Sequence, residues 1–195
     1  SDVKSGSVKV FGHDVRDCKF GYLRHVIHVV PQKSNLFSGT IKDNLLMGDR
    51  SADDRDIDFA LKVSQSAEFV SKLKDGTNTL IEENSKNLSG GQKQRLCIAR
   101  AIMGHPRILI FDDSSSALDF ATDAALRKAL KENLNDTTVF LVSQRVNTVK
   151  NADKILVLDD GELVATGTHK ELYKTNEVYR DICLSQLSEK EVASV

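Results

Sequence analysis

The chain has no stretch long and apolar enough to cross a bilayer as a helix. Its apolar runs are short, Ile108–Phe111 and Ile155–Leu158 among the longest, whereas a spanning helix needs about 18 or more apolar residues in succession. No charged-then-apolar leader opens the sequence, so no signal peptide is expected. Charge of one sign is missing too. Lys and Arg number 27 against 28 Asp and Glu, a formal net charge of -1. Proteins held to nucleic acid by neutralising phosphates carry a basic excess, so nucleic acid is not an expected partner. Cysteine is scarce: Cys18, Cys97 and Cys183 are odd in number, far apart and without CxxC spacing. That argues against a disulfide framework or a zinc site, and for a reducing cytosol. The cysteines read as small buried or surface residues. Proline is rarer still, with only Pro31 and Pro106, each punctuating an apolar segment. There is no internal repeat and no low-complexity tract.

What is present suits one domain of ordinary size, or one with a tail: 195 residues, 40% hydrophobic and 28% charged. That is enough for a buried core and argues against disorder of the whole. Ser7–Val10 reads as a short strand with a turn at Gly12, and Val26–Val30 as another strand ending at Pro31-Gln32. Residues 53–73 are predicted helical. Ile57, Ala60, Leu61, Ala67, Val70 and Leu73 recur with a rough 3.6 period after the acidic start DDRD. A second helix is predicted over 89–104, with Leu96, Ala99, Ile102 and Met103 on one side, and Gly104 and Pro106 as its stop. The unbroken run Ile108–Phe111 suits a strand buried on both faces of a parallel sheet. Helix returns over 119–134, with Leu126, Ala129, Leu130 and Leu134 as its stripe. Val139–Val142 and Ile155–Leu158 are further apolar strands, and Asp160-Gly161 predicts a hairpin turn into Glu162–Ala165. From about His169 the chain reads as a polar helix, with a polar tail over 181–195. This alternation is the grammar of an α/β sheet.

Four motifs carry chemistry. Leu88-Ser89-Gly90-Gly91-Gln92 opens the helix that continues KQRLCIARAI. Two glycines at a helix N-terminus let backbone N–H groups approach an anion closely, the serine adds a hydroxyl donor, and the helix dipole favours negative charge there. Taken alone, the same residues could be a flexible turn before a capped helix. Next, the strand Ile108–Phe111 ends in Asp112-Asp113, followed by SSSALD as far as Asp119. A carboxylate at the C-terminal tip of a buried parallel strand stands where open α/β sheets hold ligands. It can take Mg2+, directly or through water, in a phosphate site. The alternative is a pair of acids capping the next helix. Third, Gln32 follows Val29-Val30-Pro31, with SNLFSGTIKDNLLMG behind it; a lone glutamine there would ordinarily be a surface residue. Fourth, Val142-Ser143-Gln144-Arg145 follows the second apolar strand.

In this order the motifs resemble those of ATP-binding-cassette (ABC) ATPases, over roughly residues 7–180. LSGGQ followed by KQR and ARA resembles the family's signature motif. Asp112 resembles the Walker B acid on the magnesium side, and SALD, ending in Asp119, resembles the D-loop between subunits. Gln32 resembles the Q-loop glutamine, which bridges Mg2+ and the coupling helices of the membrane domain. LFSGTIKDN resembles the exporter branch. Glu83, in IEENSKN, lies where exporters carry an acidic loop facing the membrane domain, with Glu82 and Ser85 at positions where glycines are usual. NTVKNADKILVLDDGELVATGTHKEL follows the family to the end of its fold. The resemblance implies an α/β fold, a RecA-like P-loop NTPase core with an α-helical subdomain at about 36–105. It implies ATP and Mg2+ as cofactors, ATP hydrolysis coupled to transport, a transmembrane domain as partner, and a place on the cytoplasmic face of the cell membrane. It further implies that ATP sits between the Walker motifs of one nucleotide-binding domain and the signature of a second, so that Leu88, Ser89, Gly90, Gly91, Gln92 and Asp119 serve a partner's nucleotide.

Three departures from the family pattern bear on activity. No G-x-x-x-x-G-K-[ST] occurs in the sequence; that loop cradles phosphates with backbone N–H groups and a lysine. By resemblance it is expected N-terminal to Ser1, on a strand and helix at the centre of the sheet. The chain is then a C-terminal piece of a nucleotide-binding domain, with the N-terminal part missing and membrane helices fused upstream. Asp113 stands where active members carry the glutamate that polarises the attacking water, and its side chain is one methylene shorter. A misplacement of about 1 Å can cost roughly 100-fold in rate. Gln144 stands where the family carries a switch histidine; it can donate a hydrogen bond but cannot carry the charge of an imidazolium. Together the two imply the degenerate half of a heterodimeric exporter, inactive as this piece alone, beside a heterologous second nucleotide-binding domain that keeps the catalytic glutamate. The alternatives left open are the ATPase subunit of an ABC importer, an ABC ATPase outside transport, and a regulatory binding module.

Overall fold

A hairpin opens the chain, β1 (Lys9–Val10) with β2 (His13–Asp14). Phe11 and Gly12 turn it with φ of 49° and 84°, the paired left-handed conformation of two-residue hairpins. The computed structural model describes residues 3–82, 85–114 and 117–187, in two units, Ser1–Phe140 and Leu141–Val195. Glu83 lies outside the described residues, as do Ser115 and Ser116 of the segment leading to Asp119 and everything after residue 187.

In the first unit α1 (Phe20–Val26) runs directly into β3 (Ile27–Val30). After β4 (Gly39–Thr40) come α2 (Ile41–Leu46), α3 (Asp54–Val63), α4 (Ala67–Ser71) and β5 (Leu80–Ile81), which pairs antiparallel with β4. Then follow α5 (Gly90–Ile102), β6 (Ile108–Asp112), α6 (Phe120–Asn133) and β7 (Thr138–Val142), which crosses into the second unit. The helix predicted over 53–73 is therefore broken in two, at Gln65. Gln65 takes φ of 61°, a conformation no right-handed helix can contain. Arg95 of α5 fastens the break: Nη1 donates to the Gln65 carbonyl at 2.6 Å, and the guanidinium lies 4.7 Å over the Phe69 ring. The apolar stripe continues across the break, so periodicity does not see it.

The sheet of this unit has the order β3-β6-β7, with β3 and β6 parallel. Val30, Leu109 and Phe111 are buried. α5 lies against this sheet, where the Nδ1–H of His28 donates to the Ala101 carbonyl at 2.7 Å. The run Ile108–Phe111 predicts burial on both faces, but the other face is more open: Ile108 and Ile110 are half-buried and Val29 is 53% exposed. An unbroken apolar run records β-propensity and packing along the sheet as much as burial. α2 meets α5 at a close approach, since a Cβ on Gly48 would stand 2.1 Å from the Arg100 carbonyl oxygen. Asn44, itself buried, closes the loop before α2. Its Oδ1 accepts from the Phe37 N–H at 2.8 Å, and its Nδ2 donates to the Phe37 and Thr40 carbonyls at 2.9 and 3.0 Å. These contacts account for the Asn and Gly of GTIKDNLLMG.

The second unit contains α7 (Val146–Val149), β8 (Ile155–Asp159), β9 (Glu162–Gly167), α8 (His169–Thr175) and α9 (Glu177–Gln186). Asp160 and Gly161 turn the β8–β9 hairpin with φ of 45° and 81°. The polar tail expected from residue 181 starts inside α9, which contributes to the core instead. Tyr179 and Cys183 of α9 and Leu187 after it are buried with Val146, Ile155, Val157 and Leu172. Among the described residues no helix is long and apolar enough to cross a membrane.

Two predictions follow from this packing. Gly48→Ala forces α2 and α5 apart and is expected to cost on the order of 1–3 kcal/mol in a urea melt; an unchanged midpoint would refute the close approach. Carboxylates fasten the helix starts: Asp43 and Glu171 accept from the backbone N–H groups of Thr40 and Thr168, and Asp53 and Asp119 accept from backbone N–H groups of α3 and α6. These hydrogen bonds hold all four carboxyls below their ordinary range, with the Arg55 side chain adding the largest share at Asp53. Because the folded values are depressed, the stabilisation is present above about pH 4 and is lost as pH falls through the folded values. Urea midpoints should hold steady from about pH 7 to 5 and fall below about pH 4, less steeply in Asp43→Asn with Glu171→Gln.

Candidate functional site

β3 and β6 end side by side, and their register decides what meets beyond them. Val30 pairs with Phe111, so two residues on, Gln32 stands level with Asp113. Gln32 Nε2 donates to Asp113 Oδ2 at 3.1 Å. Asp113 sits at φ of 46°, a left-handed conformation that aspartate tolerates better than most residues but that still costs about 1–3 kcal/mol. Asp112, the last residue of β6, is exposed. Just beyond, Ser114 is 1% exposed and its Oγ has no hydrogen-bond partner among the described residues. The Asp112 carboxylate and the Gln32 Oε1 are hard oxygen donors of the kind Mg2+ takes. Among the described residues no cluster of three or more His, Cys, Asp or Glu could hold a metal ion by itself. The site fits Mg2+ that brings phosphate oxygens and water with it, which is how Mg2+ is usually held.

The N-terminus of α5 is built from the motif Leu88-Ser89-Gly90-Gly91-Gln92. Ser89 is its N-cap. The Ser89 Oγ accepts from the Gln92 N–H at 3.2 Å, and the Gln92 Oε1 accepts from the Ser89 N–H at 2.8 Å. A helix leaves its first N–H groups without intrahelical partners. Here the capping box satisfies those of Ser89 and Gln92, and the ones left over belong to the two glycines. A Cβ on Gly90 would meet nothing within 4 Å, whereas one on Gly91 would stand 3.3 Å from the Ala117 carbonyl oxygen. The first turn of α5 carries no acidic residue, unlike those of α3, α6, α8 and α9. No acidic residue of the helix's own first turn offsets its positive end, and the Ser89 hydroxyl, which accepts in the cap, has its own proton to donate. The cap thus leaves a helix start whose remaining N–H groups are of the kind that can receive an anion.

Asp119 has a local role. It is the N-cap of α6, with Oδ1 accepting from the Thr122 N–H at 2.9 Å and Oδ2 from the Thr122 hydroxyl at 2.7 Å. Those bonds hold its carboxyl below the ordinary range. Gln144 lies exposed in the second unit, in the turn between β7 and α7. Its carbonyl accepts from Gln186 Nε2 at 2.8 Å, and Gln186 Oε1 accepts from the Val146 N–H at 3.0 Å. Gln186 is a residue sequence reasoning missed, since a polar residue near a chain end carries no pattern. Gln94 is another. It is fully buried within the signature helix, and only its place in an apolar stripe could have drawn notice.

The model of the family described as ABC transporter matches residues 1–116. The chain belongs to this family. Its fold is the RecA-like fold of ABC nucleotide-binding domains. It is 40% identical over 185 residues to a protein of Rickettsia felis named as an export ATP-binding/permease protein, a match covering 95% of this chain and 32% of the relative. A protein of Staphylococcus aureus named as a multidrug export ATP-binding/permease protein is 40% identical over 181 residues, with 93% of this chain and 31% of the relative covered. A solved structure of a bacterial Atm1-family ABC exporter with ATP bound matches at 33% identity and a TM-score of 0.90, over 95% of this chain and 33% of that one. The chain thus spans about a third of the length of the curated relatives it matches.

The cap geometry makes a prediction of its own. Ser89→Ala should cost about 1 kcal/mol in a urea melt, while Ser89→Asp, which keeps an acceptor for the Gln92 N–H, should cost little. Equal losses in the two variants would show that the cap is not what holds the helix start.

Proposed function

We propose that this chain is the signature-bearing part of the nucleotide-binding domain of an ABC exporter, coupling ATP binding and hydrolysis to transport across the cell membrane, on whose cytoplasmic face it sits. The observation that carries the reading is the Gln32–Asp113 hydrogen bond at the tips of adjacent parallel strands. It joins two ABC motifs at the edge where α/β sheets hold their ligands. Support comes from relatives named as exporters and from the ATP-bound exporter structure that this chain resembles along nearly its whole length.

In this reading Ser89, Gly90 and Gly91 present a hydroxyl and backbone N–H groups to the terminal phosphate of ATP held by a second ABC nucleotide-binding domain. Leu88, which is buried, anchors the turn and Gln92 keeps it capped. Asp112 and Gln32 offer oxygens to Mg2+, which when bound would neutralise phosphate charge. Asp113, oriented by the Gln32 amide, accepts a hydrogen bond from water, and Asp119 fixes the start of α6 beside the domain partner. A groove of about 390 Å3 on the first unit, lined by Val29, Phe37 and Met47 together with Arg24 and Arg100, offers an apolar seat with cationic neighbours for a segment of the transmembrane domain. Asn44 shapes it by pinning the Phe37 backbone.

Asp113 and Gln144 make this chain's own contribution to hydrolysis weak, so its signature serves a heterologous partner domain that keeps the glutamate. The test is ATP turnover of the complete transporter with Asp113→Glu and Gln144→His in this chain. Turnover at this chain's own site should rise roughly 10- to 100-fold. If the wild-type site already hydrolyses as fast as its partner's, the degenerate reading fails.

A further inference from the structure

Gln94 is the most deeply buried polar side chain of the signature helix, with no exposed surface at all. A buried amide is costly unless both its ends are bonded, and here both are used on one short segment. Its Nε2 donates to the Pro31 carbonyl at 3.4 Å, and its Oε1 accepts from the Ser34 hydroxyl. One and two turns further along α5, Cys97 and Arg100 continue the attachment. The Cys97 thiol and the Arg100 Nη2 both donate to the Asn35 carbonyl, at 3.6 and 2.9 Å. Burial pushes the Cys97 thiol up, so it stays a donor. Residues 31–35 are in this way strapped along the helix. Gln32 lies inside the strap, between the two residues that Gln94 holds. Its own side chain donates from Nε2 to Asp113 Oδ2 at 3.1 Å.

We infer that Gln94 is a positioning residue that holds the Gln32 amide at Asp113 and ties that contact to the N-terminus of α5 bearing Ser89 and Gly91. Gln94 follows Gln92, the capping residue, by two positions, so one helical turn carries the cap of the anion seat and the clamp on the segment of Gln32. Neither end can shift without straining the other. Proline at position 31 suits this arrangement. It has no N–H, so its carbonyl is the one backbone group it offers the clamp, and its fixed φ leaves the chain little freedom between β3 and Gln32. That the clamp serves nucleotide chemistry rests on the proposed function; the clamp itself does not.

The experiment uses two signals from the complete transporter without nucleotide. The first is hydrogen–deuterium exchange of residues 31–36 compared with the body of α5. The second is the side-chain amide resonance of Gln32, which in the wild type should move when Asp113→Asn removes the anionic acceptor. Gln94→Met keeps the volume and removes both hydrogen bonds. It should raise exchange in 31–36 by at least roughly fivefold with α5 unchanged, and the Gln32 resonance should stop responding to Asp113→Asn. Ser34→Ala, on the outer partner, should do the same to a smaller degree and guards against a core variant that unfolds. A Gln32 resonance that still follows Asp113 in both variants, or exchange that rises throughout α5, would overturn the inference. A transporter whose wild type turns over no ATP would count against the proposed function alone.

Discussion

The parallel pairing of β3 with β6 is the constraint on which the rest depends. Neighbouring strands lie about 4.8 Å apart and advance about 3.3 Å per residue, so a register set by four residue pairs is carried to the positions beyond. Val30, Leu109 and Phe111 enforce it by burial. A slip of β6 by one residue would turn Leu109 and Phe111 outward and would bring Asp112 or Ser114, not Asp113, level with Gln32. The hydrophobic pattern and the chemical alignment are therefore one specification. The His28–Ala101 hydrogen bond extends it to α5, so the position of the signature helix is referred to the same strand as Gln32.

Four glutamine side chains make several of the contacts described above. Gln32 reaches Asp113, Gln92 closes the cap of α5, Gln94 clamps the segment after β3, and Gln186 holds the turn at Gln144. An amide donates and accepts at once and carries no charge to desolvate. A lysine or glutamate at position 94 would have to be buried charged, at a cost far above the roughly 1 kcal/mol that a neutral hydrogen bond contributes. Two of the ion pairs tell the opposite story. Lys72–Glu68 and Arg55–Asp53 are solvent-exposed, and such pairs contribute little to stability. The contacts that Gln92, Gln94 and Gln186 make are neutral ones.

Much of this was legible in the sequence where a local rule decides. Asp160-Gly161 announces its hairpin because few other pairs accept two left-handed residues in succession, and Ser89 with Gln92 announces a capped helix start. The α3–α4 break at Gln65 was not legible, since its cause is a contact with Arg95 some thirty residues away and glutamine carries no turn preference. The core around α9 was missed because Tyr179, Cys183 and Leu187 sit among polar neighbours and bury a narrow stripe. The meeting of Gln32 and Asp113 was legible only through the family's motifs. Their spacing says nothing until strand order and register are known. Asp119 shows the converse: its cap on α6 follows from local chemistry alone, while its service to a partner domain rests on resemblance.

The two halves of the proposed function differ in how they depend on side chains, and that difference makes a split site physically reasonable. The anion seat at α5 is mostly backbone: glycine N–H groups, a helix dipole and a serine kept in place by Gln92. It survives as long as the cap and the helix do. Hydrolysis asks more of single side chains. A carboxylate must reach a water from the end of β6, and Asp113, shorter by a methylene and held at φ of 46°, starts from a retracted position. The Gln32 hydrogen bond takes one of its oxygens as well. On the proposed reading, drift at Asp113 and Gln144 removes reactivity without touching the apolar register, the cap or the Gln94 clamp. A chain with these substitutions can still close on a partner's nucleotide while contributing little turnover of its own, because seating a phosphate and activating a water are here served by different atoms.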